Sequence, residues 1–163
     1  MEYIQAQKDP EPSNKPRNSN PFAELYKNPD DKAAHIVHRG KLTLIILNKF
    51  PYNPGHLLIL PYREVPTLPE LTQEERSELM ANIILGQQIL EEAIQPQGFN
   101  IGFNIGPAAG AGIPRHLHAH IVPRWEGDTN FMPVIGDTRV LPESMDRMWI
   151  KLHATAKELY PRQ

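Results

Sequence analysis

The chain has 163 residues, about the length of one domain and enough to bury a real core. Charged residues make up 22% and the formal charge is -2, which argues against broad binding to nucleic acid. There is no cysteine, so disulfides and thiolate zinc sites are excluded; with no apolar run of membrane-span length and no apolar signal core, a soluble cytoplasmic protein is expected.

Residues 1–21 read as a flexible polar tail. Pro10, Pro12, Pro16 and Pro21 alternate there with Asn, Ser, Lys and Arg, a composition that cannot bury enough surface to order itself. Residues 22–163 read as one domain, with order expected from Phe22 to Tyr26 onward. His35 to His38 fits a short strand, Arg39 to Lys41 a turn, and the β-branched run Leu42 to Leu47 a second strand. The turn formers Phe50-Pro51-Tyr52-Asn53-Pro54-Gly55 then lead into His56 to Leu60, so these two strands should pair antiparallel.

Thr72 and Glu75 form a capping-box pattern ahead of a long helix, with Leu79, Met80, Ile83, Ile84, Leu90 and Ile94 at near-helical spacing. Gln95-Pro96-Gln97-Gly98 should stop it. Phe99 to Gly106 alternates strictly: Phe99, Ile101, Phe103 and Ile105 on one face, Asn and Gly on the other. That small, polar face leaves room for a ligand. A second amphipathic helix is expected from Met145 through Leu159. The sum is an α+β fold, an antiparallel sheet of about five strands with one long and one C-terminal helix.

The run Arg115-His116-Leu117-His118-Ala119-His120-Ile121-Val122-Pro123-Arg124 sets three of the seven histidines at alternate positions. Side chains alternate in a strand, so His116, His118 and His120 should share one face and Leu117, Ala119 and Ile121 the other. Three imidazoles are costly to keep dry, which puts a wet site on that face.

Three readings stand side by side. One metal ion cannot take all three rings: at about 3.3 Å per residue the outer Cα atoms lie roughly 13 Å apart. Ligand nitrogens at about 2.1 Å from zinc must lie within about 4 Å of each other, so a neighbouring pair could chelate, but without an obvious acidic or thiolate partner nearby in sequence. A structural role is the second reading. The third is anion chemistry, because an imidazole with an unperturbed pKa of about 6.5 is a nucleophile near neutral pH. Flanking imidazoles can donate to phosphoryl oxygens, and the glycine-rich loop Gly106 to Pro114 can add backbone N–H groups.

The run His116-Leu117-His118-Ala119-His120-Ile121-Val122 resembles the signature of the histidine triad (HIT) superfamily, His-φ-His-φ-His-φ-φ with φ apolar. Leu47 to Leu57 is similar to the family's asparagine and Pro-Gly-His segment. Gly106 to Pro114, Pro123 to Phe131, Ile135-Gly136, Val140-Leu141-Pro142 and the Met1-Glu2-Tyr3-Ile4 start resemble a bacterial branch that includes diadenosine tetraphosphate phosphorylases.

The resemblance implies that a dinucleoside polyphosphate is cleaved through a nucleotidyl-histidine intermediate, by phosphorolysis or hydrolysis. His118 would be the nucleophile, and His116 and His120 would bind phosphoryl oxygens, one helping to protonate the leaving group. Asn48 would contact the ribose, Asn104 the phosphate side, and Gly110, Ala111, Gly112 and Ile113 would complete a phosphate cradle. A homodimer is implied as well. No cofactor is required, although a divalent cation could enter with the substrate phosphates. Hydrolysis of an adenosine phosphoramidate or another nucleoside monophosphate conjugate is the alternative activity, and a non-catalytic nucleotide-binding module the alternative class.

Two departures from the family pattern matter. Many relatives hold zinc with a Cys-x-x-Cys and a later histidine; here Asn20, Ala23 and Glu64 stand at the matching places, implying that apolar packing has taken over. Before the triad, where diadenosine triphosphate hydrolases place a glutamine, this chain has Ala111-Gly112, a small loop that could admit phosphate. Arg115, Arg124 and Trp125 could face a nucleotide or not, since the strand pattern leaves their directions open. His35, His38, His56 and His153 read as structural.

Overall fold

Short loops between apolar strands favour antiparallel pairs. The computed structural model describes residues 20–129 and 143–160. Its elements are α1 (Pro21–Leu25), β1 (Ile36–Arg39), β2 (Thr43–Leu47), β3 (Leu57–Pro61), α2 (Gln73–Ile94), β4 (Gly98–Phe103), β5 (Ala119–Arg124) and α3 (Met145–Leu159). Five antiparallel strands lie in the order β1-β2-β3-β5-β4, so the expected α+β architecture is the one observed. The segments around Met1 to Ile4, Asn130-Phe131, Ile135-Gly136 and Val140 to Pro142 lie outside the described residues.

Alternation along the strands divides the core in two. Ile45, Leu47, Leu57, Ile59, Ala119 and Ile121 face α2 and α3 and pack with Leu79, Ile83, Ile89, Leu90, Trp149 and Leu152. Leu44, Ile46, Leu58 and Leu60 point the other way and pack with Phe22, Ala34 and Ile36. The first set buries large side chains under two helices, each worth roughly 1.5–3 kcal/mol. Among the described residues the second is covered by the short α1 and its following loop, with Tyr62 and Ile113 packed at its side.

The start of α2 is the capping box the sequence predicts. Thr72 Oγ1 accepts from Glu75 N at 3.2 Å, and Glu75 Oε2 accepts from Thr72 N at 2.8 Å. The helix closes on Gln95, whose φ of 47° is left-handed. Where α2 crosses the sheet it carries Gly86; a Cβ there would lie 2.9 Å from Ile121 Cδ1, so the close approach requires glycine.

Three boundaries move. Asn20 and Pro21, assigned to the tail from composition, belong to the fold, because Asn20 Oδ1 caps α1 by accepting from Phe22 N at 3.0 Å. The ladder of β5 begins at Ala119, not at Arg115, since Leu117 N donates instead to Val65 O at 2.7 Å. Strand β4 ends at Phe103 because the chain turns at Gly106 (φ 82°) into a 3₁₀ turn at Pro107–Ala109. Among the described residues no helix is long and apolar enough to cross a membrane.

Candidate active site

The three histidines do gather on the face opposite α2 and α3. Phe22 sits edge-on to both His116 and His118, each at 5.3 Å between ring centroids, and His118 lies 5.0 Å from His120. His120 is the cross-strand partner of Leu58 and Gly102. Their hydrogen bonds give each ring a different job, because a carbonyl can only accept and a backbone N–H can only donate.

His118 Nδ1 lies 2.7 Å from the carbonyl of His116, so Nδ1 carries the proton and donates. The lone pair is therefore on Nε2, and among the described residues nothing bonds to it. For His120 the assignment comes through a residue read from sequence as merely structural. Tyr52 N donates to His56 Nδ1 at 3.0 Å, which puts the His56 proton on Nε2. That nitrogen stands 2.9 Å from His120 Nδ1 and donates to it, leaving the His120 proton on Nε2. His120 Nε2 is buried without a partner. A lone pair on one ring thus adjoins an unsatisfied N–H on the next.

His116 departs from expectation. It is 1% exposed, its Nε2 donates to Pro61 O at 2.8 Å, and its Nδ1 accepts from Asn20 Nδ2 at 2.7 Å. Both ring nitrogens are engaged inside the protein, so this ring has no atom left for a phosphoryl oxygen; what it offers the site is its backbone carbonyl. Burial pushes all three imidazoles below the ordinary histidine value, the Pro61 carbonyl partly opposing it at His116. Burial, with the neighbouring His118 adding to it, takes His120 down to about 4. All three rings are neutral at pH 7.

The remaining expected residues divide. Asn48 adjoins the relay, with Nδ2 3.2 Å from His56 Nδ1 and Oδ1 accepting from Phe50 N. Asn104 follows directly on the Phe103–Ala119 pair at the triad end of β4. Gly102, Gly106, Gly110 and Gly112 have open space where a Cβ would be, which fits the expected room for a ligand. The phosphate cradle is smaller than expected: Gly110 N bonds Pro107 O and Ala111 N bonds Gly106 O, because the 3₁₀ turn closes on itself. Gly112 and Ile113 keep backbone N–H groups without a partner among the described residues.

The residues of open direction resolve. Arg124 grips Asp128 through Nε and Nη2 at 2.6 and 2.7 Å, holding that carboxyl well below the usual carboxylate range. Arg115 pairs with Glu64 at 3.1 Å. Trp125 lines a cavity of about 220 Å³ with Pro54, Ile94, Glu143 and Met148. The structure also adds residues that sequence reasoning passed over: His56, which orients His120; Tyr52, stacked on His120 at 5.7 Å; and Asn20. His56 carried a signal, an even spacing from Leu58 and Leu60 that puts it on the histidine face. Asn20 stood out only as the residue at a relative's zinc-ligand place; its bond to His116 was not legible, since that partner is 96 residues away.

Comparison with known proteins adds an independent line. Residues 30–127 match the model of the HIT domain. AP-4-A phosphorylase of Mycobacterium tuberculosis is 43% identical over 136 residues, 83% of this chain and 68% of that protein. The asymmetrical bis(5'-nucleosyl)-tetraphosphatase of Schizosaccharomyces pombe is 35% identical over 105 residues, 64% of this chain and 57% of that one. The crystal structure of a hypothetical histidine triad nucleotide-binding protein from Sulfolobus tokodaii superposes with a TM-score of 0.68 at 24% identity, covering 85% of this chain and 92% of that one.

Proposed function

Starting from the fact that this chain belongs to the HIT domain family, we propose that it cleaves dinucleoside polyphosphates, diadenosine tetraphosphate first among them, through a nucleotide carried on His118. The observation that carries the reading is the opposite polarity of nitrogens on two neighbouring rings, a lone pair on His118 Nε2 and a buried, unsatisfied N–H on His120 Nε2, the ring centroids 5.0 Å apart.

In the first step the His118 lone pair attacks the α-phosphorus. A P–N bond forms, the bond to the leaving polyphosphate oxygen breaks, and that oxygen departs as an anion stabilised by a hydrogen bond from the neutral His120 Nε2–H. The imidazole becomes cationic as it is nucleotidylated, and the His116 carbonyl on Nδ1–H disperses that charge. In the second step phosphate or water attacks the same phosphorus, the P–N bond breaks, and the ring is released. Phosphate gives a nucleoside diphosphate; water gives a monophosphate.

Phosphorolysis is the favoured second step. It is supported by the name of the M. tuberculosis relative and by the open Gly110 to Gly112 loop, where no side chain crowds a second anion. The protein would act as a cytoplasmic homodimer joined along β4, an edge strand whose Ile101 and neighbouring Ile105 are 43% and 40% exposed.

The deciding experiment is product analysis with diadenosine tetraphosphate, with and without phosphate. ADP plus ATP, formed only with phosphate, is expected. AMP plus ATP would mark hydrolysis, and turnover confined to adenosine phosphoramidates would replace the substrate class. Light scattering reads the dimer, which Ile101→Asp should dissociate.

A further inference from the structure

Asn20, Ala23 and Glu64 stand where many relatives hold zinc, and the side chains here do not fit such a site. Asn20 offers an amide, Ala23 no donor atom, and His116 already engages both ring nitrogens. Among the described residues no three His, Cys, Asp or Glu side chains converge on a point where an ion could sit. Apolar packing lies beside it, with Phe22 buried against His116 and His118.

What stands there is a closed polar node. The two amide hydrogens of Asn20 go to Glu64 Oε2 at 2.7 Å and His116 Nδ1 at 2.7 Å, while its oxygen caps α1. Glu64 Oε1 takes Arg115 Nε at 3.1 Å. Asn20 is 6% exposed and its partners lie 44 and 96 residues away, so the node ties the start of α1 to the end of β3 and to the triad.

We propose that Asn20 is a positioning residue for the nucleophile, acting through its side-chain amide and without a metal ion. A donor on Nδ1 keeps the His116 proton on Nε2, where Pro61 O receives it. A ring gripped at both ends cannot turn, and the carbonyl of the same residue is held 2.7 Å from His118 Nδ1. That contact keeps the His118 lone pair on Nε2, aimed outward. The cap also places Phe22 against both rings.

The informative variant is Asn20→Asp, because Asp and Asn cap helices about equally well. It keeps the cap oxygen, removes both amide donors, and sets a second carboxylate beside Glu64. The expected result is a fall in kcat of about 10–100-fold with KM moving less than about threefold, the range seen when partners that orient a reacting ligand are lost. Glu64→Gln, which keeps an acceptor oxygen, should lose far less than Glu64→Ala. Long-range ¹H–¹⁵N spectra of the histidine rings supply a readout that a bare cap would not move: the His118 Nδ1–H resonance should shift and exchange faster with water in Asn20→Asp.

Metal analysis completes the test: the protein should hold well under one zinc per chain, and neither chelation nor added zinc should change its melting temperature. Stoichiometric zinc whose removal unfolds the protein overturns the proposal. So does an Asn20→Asp variant with wild-type kcat and unaltered ring spectra. The rate arm rests on His118 being the nucleophile, whereas the spectra and metal content do not. A protein inactive on nucleotides with spectra as expected would therefore sink the activity and leave the node standing.

Discussion

Two groups of histidines sit on this fold and do different work. His56, His116, His118 and His120 lie on the lightly covered face, linked ring to ring or ring to carbonyl, with His56 fully buried. His35, His38 and His153 stand at the junction of β1 and α3. His153 stacks on Trp149 at 4.5 Å and bonds Val37 O at 3.0 Å, His35 reaches Asp146 at 3.9 Å, and His38 meets the edge of Tyr160 at 5.2 Å. The second group fastens a helix. The first has its protons assigned one after another, ending in a bare lone pair beside a bare N–H. Residue type is the same in both, and what sets the first group apart is that its linked rings end at His120 Nε2, buried without a partner among the described residues.

The sharpest way to break that distinction is His118→Asn. Turnover of diadenosine tetraphosphate should drop by at least about a thousandfold, while nucleotide affinity measured by calorimetry stays within about tenfold, or ~1.4 kcal/mol. Retained turnover ends the covalent reading. Next in size is His56→Phe, which fills the buried site but takes the donor away from His120 Nδ1. A fall in kcat of about 10–100-fold at near-constant KM is expected, from steady-state kinetics; an effect on KM alone would make His56 the turn residue it resembles in sequence.

The groups should also part in acid. His120 is held down to about 4, so between the ordinary value of about 6.5 and about 4 the unfolded chain takes up a proton that the folded ring refuses. Stability contributed by neutral His120 is complete above that window and is lost as pH falls through it. Urea midpoints at about pH 7, 5.5 and 4.5 should decline, and His120→Gln should flatten the decline. The smallest effect belongs to the fastening group. His153→Ala removes one hydrogen bond and one stacked ring, costing about 1–2 kcal/mol in urea melts, with kcat unchanged.

The sheet was legible in the sequence because its signals are local. Leu42 to Leu47 and His56 to Leu60 differ from the observed strands by a residue at an end, and the Thr72–Glu75 capping box sits where expected. Alternation also put the three histidines on one face. It failed on what the rings do, because hydrogen-bond partners come from elsewhere in the chain. Pro61 and Asn20 reach His116 across 55 and 96 residues, and together they turn an expected phosphate ligand into a brace. Arg124 was of open direction until Asp128, four residues on, was seen to claim it. His56 follows Gly55, whose positive φ of 78° explains the turn well enough that a second role goes unnoticed.

The tight crossing at Gly86 makes α2 an anvil behind the histidine face. Ile121 is trapped between that helix and its own strand, one residue beyond His120 and on the reverse side. A methyl group at position 86 must push that isoleucine back or lift the helix, and a strand driven forward carries His120 with it. The depth of the His120 face is thus gauged from the rear, by the thinnest residue of the helix packed behind it.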